Sequence, residues 1–310
     1  MAIYHAASID WSFAELPDAN GPVEREMIGR GLVAENEIRS WSKQPITFKD
    51  EMWTRAAVHI IERHKPNLLL MHLLTTDSVQ HQYGARSLAA QTALILADRQ
   101  IQRILDAVER AGLRDSTTLV VLSDHGFKSY QHLIRANVLL RQKGLLRDNA
   151  GQLDGDAWVV AEGGTAMVYV TRESRREATL KALNDAFPQV SGIAKIILPA
   201  DYPQYGYPPA NGQGRMADMV LAAGAGYAFD AATTGDLVSD VPAGAVRGNH
   251  GYLSSDPDMT AILVMWGAGI QPGAHSGIES NLNVAPTLAQ LLHVKLPDAQ
   301  GTALTGFLRK

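Results

Sequence analysis

The stretch Thr117-Thr-Leu-Val-Val-Leu-Ser-Asp-His-Gly126 decides the fold, because it joins an apolar run to a polar turn. The run from Thr117 to Ser123 is typical of a strand buried on both faces of a parallel sheet. Asp124 and His125 follow its carboxyl end, where open α/β sheets carry their ligand crevice, and Gly126 permits the sharp turn that lets both side chains converge. An Asp–His hydrogen bond that only finishes the strand is the alternative.

The residues before this stretch complete a strand, helix and strand. Asn67-Leu-Leu-Leu-Met-His-Leu-Leu74 is a second short apolar run, and an amphipathic helix is predicted from Leu88 to Ala111 with Gly112 as its stop. A βαβ unit of this kind predicts a mostly parallel sheet covered by helices. A further helix is predicted over 48–64, whereas the first 45 residues show no sustained period and are expected to be loop-rich.

The middle of the chain differs in sequence pattern from the segments before and after it. We predict an inserted lobe or cap over the active face at 128–247, and a metal-binding α/β core formed by 1–127 and 248–310. Within the lobe the pattern indicates helices over 131–143 and 174–187 and a strand over 163–171. Its tyrosines 202, 205 and 207 could stack a nucleobase, but packing of the loop on its own tyrosines is favoured. The core resumes with a strand over 259–266 and a helix over 284–293.

Composition excludes several classes of protein and of site. Twenty-eight basic residues nearly balance 32 acidic ones, and no basic stripe supports binding of extended nucleic acid. There is no cysteine, so a metal must be held by His, Asp and Glu. No apolar run reaches the roughly 18 residues of a membrane span.

Two more motifs accompany Asp124 and His125. In Asp77-Ser-Val-Gln-His81 the two ligating residues are four apart, on one side of a helical turn, although a capping Asp followed by a solvated His is the simpler interpretation. In Gly248-Asn-His250-Gly251 the glycines permit close backbone approach, although an ordinary loop is the alternative. Together, two carboxylates and three imidazoles suit a Zn²⁺-type centre with one or two ions, which would polarise a phosphoryl oxygen and stabilise a leaving oxygen.

The order of these motifs resembles that of the type I phosphodiesterase and nucleotide pyrophosphatase family of the alkaline phosphatase superfamily. The similarity runs from about 67 to 302 and includes the closing Gly301-Thr302 turn. It implies an alkaline phosphatase-like, three-layer αβα fold with a mostly parallel central sheet. It also implies hydrolysis of phosphodiester or pyrophosphate bonds in a small phosphate ester or nucleotide.

The resemblance also assigns roles to the five motif residues. Asp77, His81 and His250 would bind one divalent ion, and Asp124 with His125 would supply half of the site for a second, with Zn²⁺ as the expected metal. In the family an upstream Asp and a Thr or Ser nucleophile complete the second site. No matching segment precedes Asn67, so the nucleophile is not assigned, and the family's N-terminal part is expected to be missing.

A missing part has consequences for stability and for function. An uncovered flank of the sheet predicts self-association through an exposed edge. A phosphomonoesterase, a phosphonate hydrolase, a sulfatase or a metal-dependent mutase on the same scaffold is the alternative within enzymes, and a catalytically silent metal-binding remnant is the alternative outside them. Members of this family are often exported, and the start of this chain lacks the pattern of a signal peptide, so localisation stays open.

Overall fold

A computed structural model describes residues 11–210, 216–242 and 245–309. The chain divides into two compact units. The first unit comprises 1–78, 91–122 and 262–310, and the second comprises 79–90 and 123–261. None of the described helices is long and apolar enough to cross a membrane.

Helices and strands alternate irregularly along the chain. The helices are α1 Pro22–Gly29, α2 Glu35–Arg39, α3 Ile46–His64, α4 Thr75–Tyr83, α5 Leu88–Arg110, α6 Ala136–Gln142, α7 Arg176–Ala186 and α8 Val284–Leu291. The strands are β1 Thr118–Leu122, β2 Lys128–Tyr130, β3 His132–Ile134, β4 Leu146–Asn149, β5 Gln152–Gly155, β6 Ala157–Ala161, β7 Thr165–Val170, β8 Ile193–Ile197, β9 Met219–Ala223, β10 Tyr227–Phe229, β11 Val238–Asp240, β12 Arg247–Asn249 and β13 Leu263–Gly267.

Helix α3 organises the first unit. Its buried residues Met52, Ala56 and Ile60 recur at helical spacing, as the sequence predicts, and form one core with Val23 and Met27 of α1. Both α1 residues are fully buried. The expectation that the first 45 residues are loop-rich is therefore wrong for their described part. Helices α1 and α2 are too short to show a sustained period, and tertiary packing stabilises them.

The sheet of the first unit differs from the sequence-based expectation. The predicted strand over 67–74 has no regular secondary structure and joins no ladder among the described residues, and Leu70 is 74% exposed. Strand β1 forms at the predicted place, and its partner β13 runs antiparallel to it. Leu69 and Met71 pack against the cores formed by α3 with α1 and with α5, but no described strand pairs with 67–74, so the run is covered on one side only.

The second unit contains a four-stranded antiparallel sheet in the order β6-β7-β9-β8. Helices α6 and α7 supply Leu140 and Leu183 to its core, and both side chains are fully buried. The helix predicted over 131–143 was assigned too early, because its first residues form β3, which pairs in parallel with β10 and antiparallel with β11. The second unit includes the whole of 128–247 and also Asp124, His125 and His250.

The tyrosine-rich loop packs on itself, which is the favoured interpretation of its sequence. Tyr202 has no exposed surface and donates its hydroxyl to the carbonyl of Ala217 at 2.8 Å. The ring of Tyr207 packs edge-on against it with centroids 5.7 Å apart. Tyr202 is therefore a core residue of the second unit.

A buried carboxylate fixes the start of α4, the helix that carries Asp77 and His81. Asp50 is 2% exposed, and its two carboxylate oxygens accept the backbone N–H groups of Leu74 at 2.8 Å and Thr75 at 2.9 Å. These N–H groups lie at the helix start, where helical hydrogen bonds supply no acceptor. An acceptor delivered by α3 therefore replaces a local capping residue.

We expect Asp50→Ala to lower the free energy of unfolding by about 2 to 3 kcal/mol, because two buried N–H groups lose their acceptor. Equilibrium urea denaturation of the whole chain measures this change. The matched control Asp98→Ala, at an exposed position of α5, is expected to stay within about 0.5 kcal/mol of the parent. Equal stability of the two variants would contradict the capping role.

Candidate metal centre

His81 is held in one orientation by a backbone carbonyl. It lies in the last turn of α4, and its Nδ1 is 3.0 Å from the carbonyl oxygen of Gly248 in β12. Because a carbonyl can only accept, Nδ1 carries the proton and Nε2 is the ring atom that can bind a metal. Gly248 itself lies so close to the Gln80 carbonyl that an added Cβ would overlap it. Glycine at this position therefore permits the approach of β12 to the end of α4.

His250 follows β12 in a turn that also depends on glycine. Gly251 has a φ of 72°, and a Cβ there would overlap the carbonyl oxygen of Glu162. The carbonyl of His250 accepts the N–H of Gly164 at 2.8 Å, and its own N–H is 3.0 Å from Oδ1 of Asn249. The sequence G-x-H-G thus fixes the backbone of the histidine from both sides.

Asp124 and His125 are adjacent in the turn that follows β1. Nδ1 of His125 donates to the carbonyl of Gly126 at 3.0 Å, and its Nε2 lies 3.5 Å from Oδ2 of Asp124. The N–H of Gly126 in turn donates to the carbonyl of Met259 at 3.0 Å. The Asp124 side chain is 71% exposed. Nε2 of His125 and the accessible carboxylate of Asp124 therefore lie next to each other.

The three motif histidines gather around one aromatic ring. The rings of His125 and His250 stack with centroids 3.8 Å apart and planes 15° apart, and His81 lies 5.0 Å from His250. Phe127, which is 8% exposed, contacts all three histidines at centroid distances of 4.9, 5.3 and 5.7 Å. Residues separated by more than 160 positions in sequence thus form one cluster within the second unit.

Ligating atoms converge on His81 from two directions. Asp77 lies one turn earlier in the same helix, and its carboxylate and a ring nitrogen of His81 are within 4.8 Å of each other. A ring nitrogen of His250 lies within the same distance of His81. Two imidazoles and one carboxylate suit a zinc-type ion, and the fixed Nδ1 of His81 is the outer-shell contact that such ligands require. The donor set therefore fits the metal that the sequence predicts.

The second unit also contains a cavity, and none of the five motif residues lines it. Its volume is about 450 Å³, and Gly164, Lys128 and Tyr252 line it together with Asp256. Burial raises the pKa of Asp256, but the hydrogen bonds from Lys128 and from the backbone of Asp258 lower it by more, so it stays below its usual range. The ammonium of Lys128 also lies 5.3 Å from the centre of the Tyr252 ring. The cavity thus combines an apolar wall with a fixed ion pair.

Sequence reasoning missed Phe127 as the centre of the histidine cluster. Its position directly after Ser-Asp-His-Gly was the available signal, since an aromatic residue beside a polar turn is expected to pack against that turn. Near the start of the chain, Asp10 with Ser8 or Ser12 is the only local candidate for the upstream Asp and the nucleophile of the family, and the residues around it do not match the family pattern. Ser8 and Asp10 lie outside the described residues.

Known structures share this arrangement of elements. Human ectonucleotide pyrophosphatase/phosphodiesterase 5 matches with a TM-score of 0.64 at 17% identity, over 86% of this chain and 64% of that one. An inactive form of the murine protein 5, solved in complex with AMP, matches with a TM-score of 0.65 at 15% identity over the same shares. The likeness confirms the predicted α/β, alkaline phosphatase-like fold.

Curated relatives match at low identity over most of the chain. Family member 7 of the rat ectonucleotide pyrophosphatase/phosphodiesterases is 22% identical over 251 residues, which are 80% of this chain and 53% of the relative. Human member 5 is 20% identical over 74% of this chain and 43% of its own length. This chain therefore spans about half the length of the relatives that it matches.

The family model for type I phosphodiesterase / nucleotide pyrophosphatase matches residues 10–253, which include all five motif residues. Its match covers more than half of the sequence, in agreement with the motif order from which the resemblance was inferred. The chain belongs to the type I phosphodiesterase / nucleotide pyrophosphatase family.

Proposed function

We propose that this chain carries the metal-binding part of an enzyme that hydrolyses phosphodiester or pyrophosphate bonds. The observation that carries the proposal is the convergence of His81, His125 and His250 on Phe127. These histidines come from three separate motifs. The imidazoles of His81 and His125 donate to the backbone carbonyls of Gly248 and Gly126, and the backbone N–H of His250 is held by the Asn249 side chain. A purely structural cluster would not require two imidazoles to be oriented individually.

The five motif residues divide into two groups of ligands. Asp77, His81 and His250 hold one ion, because their ligand atoms meet around His81. Asp124 and His125 supply two ligands to a second ion, whose remaining ligands are not assigned in this chain. Nitrogen and oxygen donors without sulfur favour Zn²⁺ over harder cations such as Mg²⁺. When bound, such ions polarise a phosphoryl oxygen and stabilise the leaving oxygen.

The residues of this chain position and enclose the centre. The Gly248 carbonyl keeps the proton of His81 on Nδ1, and the Gly126 carbonyl does the same for His125. Phe127 lies against all three imidazoles and limits their rotation and their access to water. The lobe at 128–247 is proposed to cover the active face, as the sequence predicts.

The substrate class is proposed from chemistry and from a relative. The near balance of charge argues against extended nucleic acid. The murine relative was solved with AMP, and a nucleotide or similar small phosphate ester is proposed for this chain as well. The cavity of about 450 Å³ in the second unit is within the usual size range of small-molecule sites.

Removing a ligand of the first ion is expected to abolish or strongly weaken the binding of that ion. We expect His250→Ala to bind one zinc equivalent fewer than the parent, or to bind it at least about 100-fold more weakly, because a direct ligand is lost. Dialysis followed by elemental mass spectrometry counts the bound zinc. His275→Ala, at an exposed histidine far from any of the motifs in sequence, is the matched control and is expected to keep the full content. Equal zinc content in the two variants would exclude His250 as a ligand.

Turnover tests the proposed reaction. With zinc present, we expect the chain to hydrolyse bis-p-nitrophenyl phosphate and the His250→Ala variant not to do so. Parallel assays with p-nitrophenyl phosphate and p-nitrophenyl sulfate decide between the diesterase and the monoesterase or sulfatase alternatives. Zinc binding without turnover of any of these compounds would contradict the proposed activity of this chain and would favour a metal-binding remnant.

A further inference from the structure

A second group of metal-type ligands lies in the first unit, away from the family motifs in sequence. Nε2 of His59 is 2.7 Å from Oε2 of Glu26, and Nε2 of His64 is 2.9 Å from the same oxygen. His59 and His64 belong to the last turns of α3, whereas Glu26 belongs to α1. Two imidazoles and one carboxylate from two helices therefore point at one position.

Packing places these three side chains together. Val23 and Met27 of α1 are fully buried in the core shared with α3, and Glu26 lies between them in sequence on the side that faces the two histidines. The side chain of His59 is 3% exposed and that of His64 is 13% exposed. The ring of Trp11 stacks on His64 with centroids 3.5 Å apart, so the His64 ring is fixed on its outer face.

The chemistry of this group is that of a transition-metal site. We propose that Glu26, His59 and His64 form a separate site for a divalent transition-metal ion of the zinc type, which cross-links α1 to α3. Two imidazole nitrogens and a carboxylate oxygen are a ligand set that zinc and its neighbours bind, whereas Mg²⁺ and Ca²⁺ prefer oxygen alone. The ligand atoms of all three residues are within 4.8 Å of one another.

Only a small expansion of the group would admit an ion. Ligand atoms around a tetrahedral zinc ion with bonds of about 2.1 Å are about 3.4 Å apart. The distances of 2.7 and 2.9 Å between the imidazole nitrogens and Oε2 of Glu26 lie somewhat below that value. Glu26 is 38% exposed, so its side chain has room to move outward and solvent can reach a fourth position. The result is a site with three protein ligands and one open position.

Zinc bound here would stabilise the first unit, because an ion that binds only the folded chain shifts the unfolding equilibrium. The site does not depend on the proposed hydrolytic function. The test therefore uses the whole chain with both His81→Ala and His125→Ala, which removes one ligand from each of the two ions proposed for the motif residues. In this double variant, hereafter the His81→Ala background, we expect zinc, but not Mg²⁺ or Ca²⁺, to bind with one equivalent and to raise the melting temperature.

Adding Glu26→Gln to this background is expected to weaken zinc binding at least tenfold and to remove the rise in melting temperature. The amide keeps a hydrogen-bond acceptor for the histidines but loses the anionic ligand, so folding in the absence of metal is retained. Glu62→Gln is the matched control, because Glu62 lies in α3 with a similar exposure of 35% and pairs with Arg110. This control is expected to bind zinc as its parent does.

The opposite results would overturn the proposal. If the Glu26→Gln variant binds zinc with the affinity of its parent, or if the His81→Ala background binds no zinc, the three side chains only share hydrogen bonds. Visible absorption of Co²⁺ gives an independent readout, since a tetrahedral site with imidazole ligands produces a spectrum that an octahedral aqueous ion does not. The absence of that spectrum in the His81→Ala background would also exclude the site.

Discussion

The candidate metal centre depends on one hydrogen bond, from Nδ1 of His81 to the carbonyl of Gly248. This contact joins the end of α4 to β12 and fixes which ring nitrogen of His81 is available to a metal. It forms only because position 248 has no side chain, since the Gln80 carbonyl occupies the place of a Cβ. The same short segment continues into His250, so one backbone contact positions two of the three imidazoles. Glycine in this motif therefore serves the geometry of the site and not only the turn.

The motif histidines lie together in the structure, whereas one of the predicted strands does not form. The motif residues sit in short segments that local features help to shape, such as the positive φ of Gly251 and the helical turn between Asp77 and His81. The strand expected over 67–74 depends on neighbours, because hydrophobicity indicates burial but does not supply a partner for the backbone. In the structure this run has no regular secondary structure and joins no ladder among the described residues. Helices α3 and α5 carry their own hydrogen bonds, and both were predicted nearly at their observed bounds.

Other features required tertiary information that no local pattern contains. Asp50 caps α4 across 24 residues of sequence, and nothing in the spacing distinguishes it from a solvated carboxylate of α3. The group of Glu26, His59 and His64 is similarly hidden, since one member comes from a helix that the sequence did not reveal. Phe127 could be recognised as aromatic, but its contact with His81 needs the fold. The missed residues are those whose partners lie on another element.

The first unit carries an apolar face that the ladder of β1 and β13 leaves uncovered. Val264 is 58% exposed and Trp266 is 39% exposed. The alternate residues of the strand, Leu263 and Met265, face α8. Leu70 adds a third exposed apolar side chain, in the irregular run before α4. Strands of α/β folds are normally covered on both faces, so a face with this composition favours contact with further apolar surface. Self-association through this unit therefore stays a prediction with a physical basis, and it does not involve the three motif histidines, which belong to the second unit.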